Sequence, residues 1–234
     1  MKQSAFKAIR RDLNAVVRHD PAARNRFEAA LCYSGFHALV MYRFFHFLYV
    51  HRYFMLARFL AFLTRFLTGI EIHPGAVIGS GVFIDHGAGV VIGETAVVGD
   101  NVVIYQGVTL GGTGKDKGKR HPTVESDVTL CSGAKVLGPF TIGKGAKIGA
   151  GAIVLGEVPP RATGVGIPAK IDRIAGKRFD CDENLINASP IEQPSNIDTI
   201  QNELTTLTAR IERLETLLGE KTTENDGTAA ETEQ

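Results

Sequence analysis

The clearest regularity in this chain is a period of six in the apolar positions of its middle part. Ile72, Ile78, Ile84 and Val90 are evenly spaced; after a slip of two residues the series resumes at Ile92, Val98, Ile104 and Leu110. An interruption covers residues 111–123, and the series restarts at Val124, Leu130, Val136, Ile142, Ile148 and Val154. Four positions after an aliphatic residue stands a small residue or Val, as at Ala76, Val82, Ala88, Val102, Val108, Val128, Ala134, Ala146 and Ala152. With so short a period, each unit can bury its apolar side chain only by stacking on its neighbours. Six residues form one flat side of a triangular prism, and about 18 complete a coil. The pattern predicts a solenoid of very short parallel strands over 69–176, with an excursion loop at 111–123.

The flanking segments follow other periods. Phe36 to Leu67 is strongly apolar, but Arg43, Arg52, Arg58 and Arg65 interrupt it. Without an uncharged run of about 18 residues it does not read as a membrane span. It reads as one or two helices with a broad buried face, or alternatively as a surface-lying amphipathic helix. Residues 1–68 are therefore expected to form an N-terminal helical domain. Beyond a linker at 177–196, Ile197, Ile200, Leu204, Leu207, Ile211, Leu214 and Leu218 step by three and four. That is a heptad seam with Ile at both core positions, which predicts a helix at 197–219 and a parallel three-stranded coiled coil. A lone helix folded back on the prism is the alternative, and residues 220–234 read as a disordered tail.

Composition sharpens this division. Of 26 glycines, 23 lie between Gly69 and Gly176, too many for helices there. The fold class expected is α+β: N-terminal helices, then a left-handed parallel β-helix of hexapeptide repeats, then a C-terminal helix. Lys and Arg number 26 and Asp and Glu 25, a balance that argues against binding nucleic acid by charge alone. The cysteines, Cys32, Cys131 and Cys181, are three and widely spaced, which suggests free thiols in a reducing compartment. The first residues show no signal peptide, so a cytoplasmic protein is expected.

Specific strings then add chemistry. D-H-G-A-G-V-V-I-G-E-T-A-V at 85–97, V-T-L-G-G-T-G-K at 108–115, R-H-P at 120–122 and I-G-A-G-A-I-V at 148–154 together resemble the serine O-acetyltransferase family. So do H-D-P-A at 19–22 and G-F-H-A-L at 35–39. The resemblance implies transfer of an acetyl group from acetyl-CoA to the hydroxyl of L-serine, the first step of cysteine biosynthesis. It implies His86 as the catalytic base, with its acidic partner on Glu71, where well-known members carry Asp. It further implies that Asp20, Asp85, Arg120 and His121 bind substrate, and that Gly112, Ser132, Lys147 and Ala150 contact CoA. Lys147 and Lys170 are candidates for its phosphates. Family likeness also implies feedback inhibition by cysteine and a homotrimer with active sites between prisms. Family tails that bind O-acetylserine sulfhydrylase end in isoleucine; this sequence ends T-E-Q, which argues against that complex.

The residues suit such a reaction. Histidine is the natural base for a hydroxyl at neutral pH, and a carboxylate on its second nitrogen would fix its tautomer. The thioester carbonyl develops an oxyanion that His121 or the N–H groups of Gly111–Gly112 could meet. Asp20 and Asp85 suit the ammonium of an amino acid, and the guanidinium fork of Arg120 suits its carboxylate. Each has a plainer reading. Asp20 before Pro21 could be an ordinary helix cap, His86 a solvent-facing corner residue, Glu71 a partner for a nearby cation. Cys131 reads as a packed or surface thiol rather than a nucleophile. Two competing activities remain in view. One is an acetyltransferase for another hydroxyl acceptor, such as homoserine or a sugar. The other is a zinc carbonic anhydrase on the same solenoid, using His73, His86 and His121. The wide spacing of those histidines disfavours the zinc reading, and no metal is expected.

Overall fold

The computed structural model describes residues 5–114, 117–178, 208, 210 and 211. Four helices come first: α1 (Ala5–His19), α2 (Arg26–Cys32), α3 (Ser34–Val50) and α4 (Phe54–Thr68). From Glu71 onward the chain forms two- and three-residue strands that alternate among three sheets. Sheet I holds the strands beginning at Glu71, Val91, Thr109, Lys135 and Ile153. Sheet II holds those beginning at Val77, Val97, Thr123 and Thr141. Sheet III begins at Phe83 and continues through Val103, Thr129 and Lys147 to Ala162. These pairings are parallel, so each coil adds one strand to each face of a left-handed prism. Antiparallel strands Ala162–Val165, Lys170–Ile174 and Lys177–Arg178 close the far end.

The hexapeptide aliphatics fill the prism. Ile72, Ile84, Ile92, Ile104, Leu110, Leu130, Ile142 and Ile148 are all essentially inaccessible to solvent. Each such burial contributes about 1.5–3 kcal/mol, and only the stack as a whole supplies it. The register corrects one detail of the periodicity. Ile72 lies beside Ile92 and Ile84 beside Ile104, 20 residues apart, whereas Val124 and Ile142 are 18 apart. The two extra residues therefore fall between Ile84 and Val90, in the corner that closes the first coil, and not after Val90. Val90 is buried in the small position two before Ile92, while Ala88 is exposed on the enlarged corner. Ile104 and Leu130 are 26 apart, which locates eight further residues in the excursion. Gly111 and Thr123, at the ends of the expected loop, are still in strands.

The helices dock onto the first coil. Gly35, at the start of α3, lies so close to strand Phe83–Ile84 that a Cβ would stand 2.0 Å from the Ile84 carbonyl oxygen. Between the helices and the next corner lies a buried ion pair. Asp12 of α1 accepts from Arg43 of α3 at 2.6 and 3.0 Å, and from the N–H groups of Gly81 and Val82 at 2.7 and 3.1 Å. Arg43 also donates to the Gly79 carbonyl at 2.7 Å. Gly69, left-handed at φ 72°, ends α4 and turns the chain into the prism.

The stretch forms two helices, of which α3 has the broad buried face expected and α4 does not. α3 buries Phe36, Leu39, Tyr42 and Phe45. α4 fully buries only Ala57 and Thr64, leaving Phe59, Phe62, Phe66 and Leu67 exposed in the single chain. Its inward face is made of Ala57, Leu60, Ala61 and Thr64. No described helix is long and apolar enough to cross a membrane. Of the linker expected at 177–196, Lys177 and Arg178 form a strand instead; its remainder, the disordered tail expected at 220–234 and nearly all of the heptad segment lie outside the described residues, while Thr208, Arg210 and Ile211 are helical.

Candidate active site

The structure distributes the candidate residues over two edges of the prism. The first edge joins sheet III to sheet I. At its base the enlarged corner runs Asp85-His86-Gly87-Ala88-Gly89, with His86 at φ 58°, Gly87 at 60° and Gly89 at 74°. A left-handed histidine costs about 1 kcal/mol or more. The extra residues swing its side chain outward, 74% exposed, with Nε2 3.9 Å from Asp85 Oδ2. Asp20 lies near enough for the two charges to interact. It caps no helix: Oδ1 accepts from the Ala22 N–H at 2.7 Å and Oδ2 from the Tyr33 hydroxyl, while Asn25 caps α2. The Tyr33 bond, first, holds the Asp20 carboxyl below the usual range, and Asp20 in turn pushes the Tyr33 phenol up to about 12.

Above this corner the same edge is lined by glycine. The Gly107 N–H donates to Ala88 O at 2.9 Å, that of Gly133 to Gln106 O at 2.8 Å, and that of Gly151 to Ser132 O at 2.9 Å. A Cβ on Gly107 would meet the Gly133 Cα at 3.4 Å, and one on Gly151 would point into open space. The result is a track of stacked glycine backbone rising from His86 past Ser132 and Ala150, with Lys135 Nζ on the Gly107 carbonyl at 2.5 Å. Lys147 and Lys170 lie on the adjoining sheet III, exposed. A track of this kind fits a narrow chain carrying amides, as the pantetheine arm of CoA does. Burial pushes the Cys131 thiol up, away from nucleophilic use.

The second edge joins sheet I to sheet II and carries Gly112, Arg120 and His121. Thr95 is its hub. Its Oγ1 accepts from the N–H groups of Arg120 and His121 at 3.0 and 3.1 Å, and lies 2.9 Å from His121 Nδ1. The Thr95 N–H donates to the same Nδ1 at 3.3 Å, so the proton of the neutral ring sits on Nε2. His121 is 9% exposed, and burial first, then Arg120, holds its pKa below the ordinary value. Its ring packs flat against Gly93, where a Cβ would stand 2.0 Å from Cδ2. Arg120 Nη2 donates to Glu94 Oε2 at 2.5 Å, and Lys119 ties the excursion back through Thr95 O at 2.8 Å.

Asp20, Asp85 and His86 thus come together, and Gly112, Arg120 and His121 come together, but the two groups occupy different edges. Glu71 joins neither. It points out from sheet I and pairs with Arg65 of α4 at 2.9 Å, not with His86. His73 and His121 flank the second edge and His86 the first; among the described residues no three metal-ligating side chains converge. Tyr33, Tyr49, Glu94 and Thr95 escaped the sequence reading. Glu94 and Thr95 stand in the quoted G-E-T string; Tyr33 links α2 to α3 and Tyr49 lies in the apolar α3, and neither carries a sequence signal of a site.

Known proteins resemble this chain closely. A family profile described as serine acetyltransferase, N-terminal, matches residues 1–40. The serine acetyltransferase of Bacillus licheniformis is 49% identical over 212 residues, covering 90% of this chain and 97% of that protein. A crystal structure of Neisseria gonorrhoeae serine acetyltransferase in complex with serine superposes with a TM-score of 0.69 at 43% identity, covering 71% of this chain and 68% of that one. A serine acetyltransferase in complex with cysteine gives a TM-score of 0.71 at 44% identity, covering 71% and 69%.

Proposed function

The chain belongs to the serine acetyltransferase family, and on that premise we propose how its own residues move an acetyl group from acetyl-CoA to the hydroxyl of L-serine. The products are O-acetyl-L-serine and CoA. His86 takes the hydroxyl proton as the oxygen attacks the thioester carbonyl, and returns a proton to the departing thiolate. Asp85 is the carboxylate within reach of the resulting imidazolium. Glu71, held by Arg65, has the lesser electrostatic role. Asp20 and Asp85 receive the serine ammonium, and Arg120 its carboxylate. His121, neutral with its proton on Nε2, donates to the oxyanion together with the N–H groups near Gly112. The glycine-lined edge past Ser132 and Ala150 receives the pantetheine arm, and Lys147 and Lys170 lie toward the phosphates.

One observation carries this reading. The irregular corner of the first coil exposes His86 beside Asp85 and near Asp20, at the foot of a glycine-lined track. Because Arg120 and His121 stand on the other edge, a complete site takes one edge from each of two neighbouring prisms, as in a homotrimer. Cysteine, which shares the ammonium and carboxylate of serine, inhibits by occupying the same groups. The deciding assay follows CoA release with serine, homoserine and galactosides as acceptors. Serine should be preferred by orders of magnitude; equal turnover with either alternative would replace serine as the substrate.

A further inference from the structure

On the second edge, the proposed serine-carboxylate ligand Arg120 is not held by its own loop alone. Glu94 binds it through one oxygen only, Oε2. The other oxygen, Oε1, accepts from the hydroxyl of Tyr49 at 3.1 Å. Tyr49 belongs to α3, 45 residues away in sequence from Glu94. Its ring is fixed edge-on between Phe54, at a centroid distance of 5.0 Å, and His73, at 5.8 Å. His73 is anchored in turn by Arg58 of α4 at 2.8 Å and by the Gly75 N–H at 3.0 Å. A guanidinium beside a free carboxylate tends to pair through both oxygens, two parallel N–H···O bonds on one edge of the planar fork. Two of the five N–H donors would then be committed to Glu94, and a second carboxylate would be confined to the edge that Glu94 leaves.

We infer that Tyr49 is a positioning residue for substrate recognition: by occupying Glu94 Oε1 it keeps the Glu94–Arg120 pair single-pronged and leaves the rest of the Arg120 fork open for the substrate carboxylate. The other hydrogen bond of the Arg120 side chain within the described residues, from Nη1 to Gly118 O, is long at 3.4 Å and easily exchanged. Burial and the Glu94 carboxylate both push the Tyr49 phenol up, so it remains a donor throughout the neutral range. The inference rests on Arg120 binding the carboxylate, and it gives the N-terminal helices a direct part in acceptor affinity.

The test is steady-state kinetics on the full-length chain, with serine and acetyl-CoA each varied. Tyr49→Phe keeps the ring that packs on Phe54 and His73 and removes only the hydroxyl. It should raise the serine KM by about three- to tenfold, the worth of one lost hydrogen bond. The kcat and the KM for acetyl-CoA should stay unchanged. Because the effect acts through Glu94, it should vanish when Tyr49→Phe is made on a Glu94→Gln background. An unchanged serine KM in Tyr49→Phe overturns the inference, as does a parallel loss in kcat and both KM values, which would mark a merely structural role. So does an undiminished effect on the Glu94→Gln background. Arg120→Ala separates the two levels. If it leaves the serine KM unchanged, the carboxylate assignment fails and this inference with it. If it raises the KM while Tyr49→Phe does not, only the Tyr49 role fails.

Discussion

His86 holds a left-handed backbone that a β-carbon disfavours, and the reason is positional. The corner from Asp85 to Gly89 holds two residues more than a regular corner such as 131–134, and His86 stands exposed within it. Replacing His86 with Ala should cut turnover by about 10²–10⁴-fold, the usual loss for a general base, while CoA binding by calorimetry stays close to the original. Activity within a few-fold of the parent would exclude the role. Glu71→Gln should cost much less, since Arg65 already neutralises that carboxylate. At the second edge, His121 and His73 are both kept neutral, chiefly by burial. With the folded pKa depressed, the unfolded chain binds more protons than the folded one just below the ordinary histidine value of about 6.5. Stability should therefore fall as pH drops through that value and level off once the depressed folded pKa is passed. Asp20 and Glu94, held below the carboxylate range, contribute losses only at lower pH. Urea melts between about pH 7 and 5 should show a smaller decline for His121→Gln than for the parent; identical slopes would mean that His121 does not titrate this way.

At the scale of elements, the helical region is joined to the prism by a few contacts of high consequence. The Asp12–Arg43 pair has a carboxylate 1% exposed and a guanidinium 10% exposed, and Asp12 also satisfies two backbone N–H groups of the 79–82 corner. Burial outweighs the ion pair at Asp12 and raises its pKa. Asp12→Ala leaves a buried cation and two orphaned donors, so it should lower unfolding free energy by about 3–5 kcal/mol, measured by urea denaturation. A loss below about 1 kcal/mol would mean that water reaches the site and the pair is not a clamp. Arg43 looks in sequence like a break in an apolar run; in the fold it is the residue that locks α1, α3 and the prism together. Gly35 works by absence, since any side chain there would push α3 off the strand that leads into His86, and Tyr33 and Asp20 with it.

For the whole molecule, the proposed mechanism requires the two half-sites, which lie on different edges of one chain, to meet across neighbouring prisms. If the active site forms between prisms, His86→Ala and Arg120→Ala chains are each inactive, yet mixed assemblies contain some sites built from an intact edge of each. Co-expressed variants should recover a clear fraction of parental activity, and the parent should sediment at three times the chain mass of 25.2 kDa. A monomeric parent, or no recovery in demonstrably mixed assemblies, would remove the shared site. The apolar outer face of α4, with Arg58 and Arg65 both turned back to His73 and Glu71, is consistent with a chain that functions in an assembly.

The sequence by itself determined the solenoid, because a side chain that recurs every six residues has only one way to be buried: by stacking coil on coil. His86, Asp85, Arg120 and His121 were marked by the resemblance that their strings carry, whereas the period itself marked only the excursion at 111–123. It could not set the register of the first coil, where Val90 and Ala88 are both apolar enough for the inward position and only strand pairing chooses Val90. Nor could it give partners to Asp20, Arg120 or Arg43, since Tyr33, Glu94 and Asp12 meet them through long-range packing. Tertiary structure alone decided that Glu71 faces Arg65, that α4 turns its small residues inward, and that the candidate residues divide between two edges. Those outcomes depend on which surfaces approach closely enough to exclude a side chain or complete a hydrogen bond, and no local pattern encodes that distance.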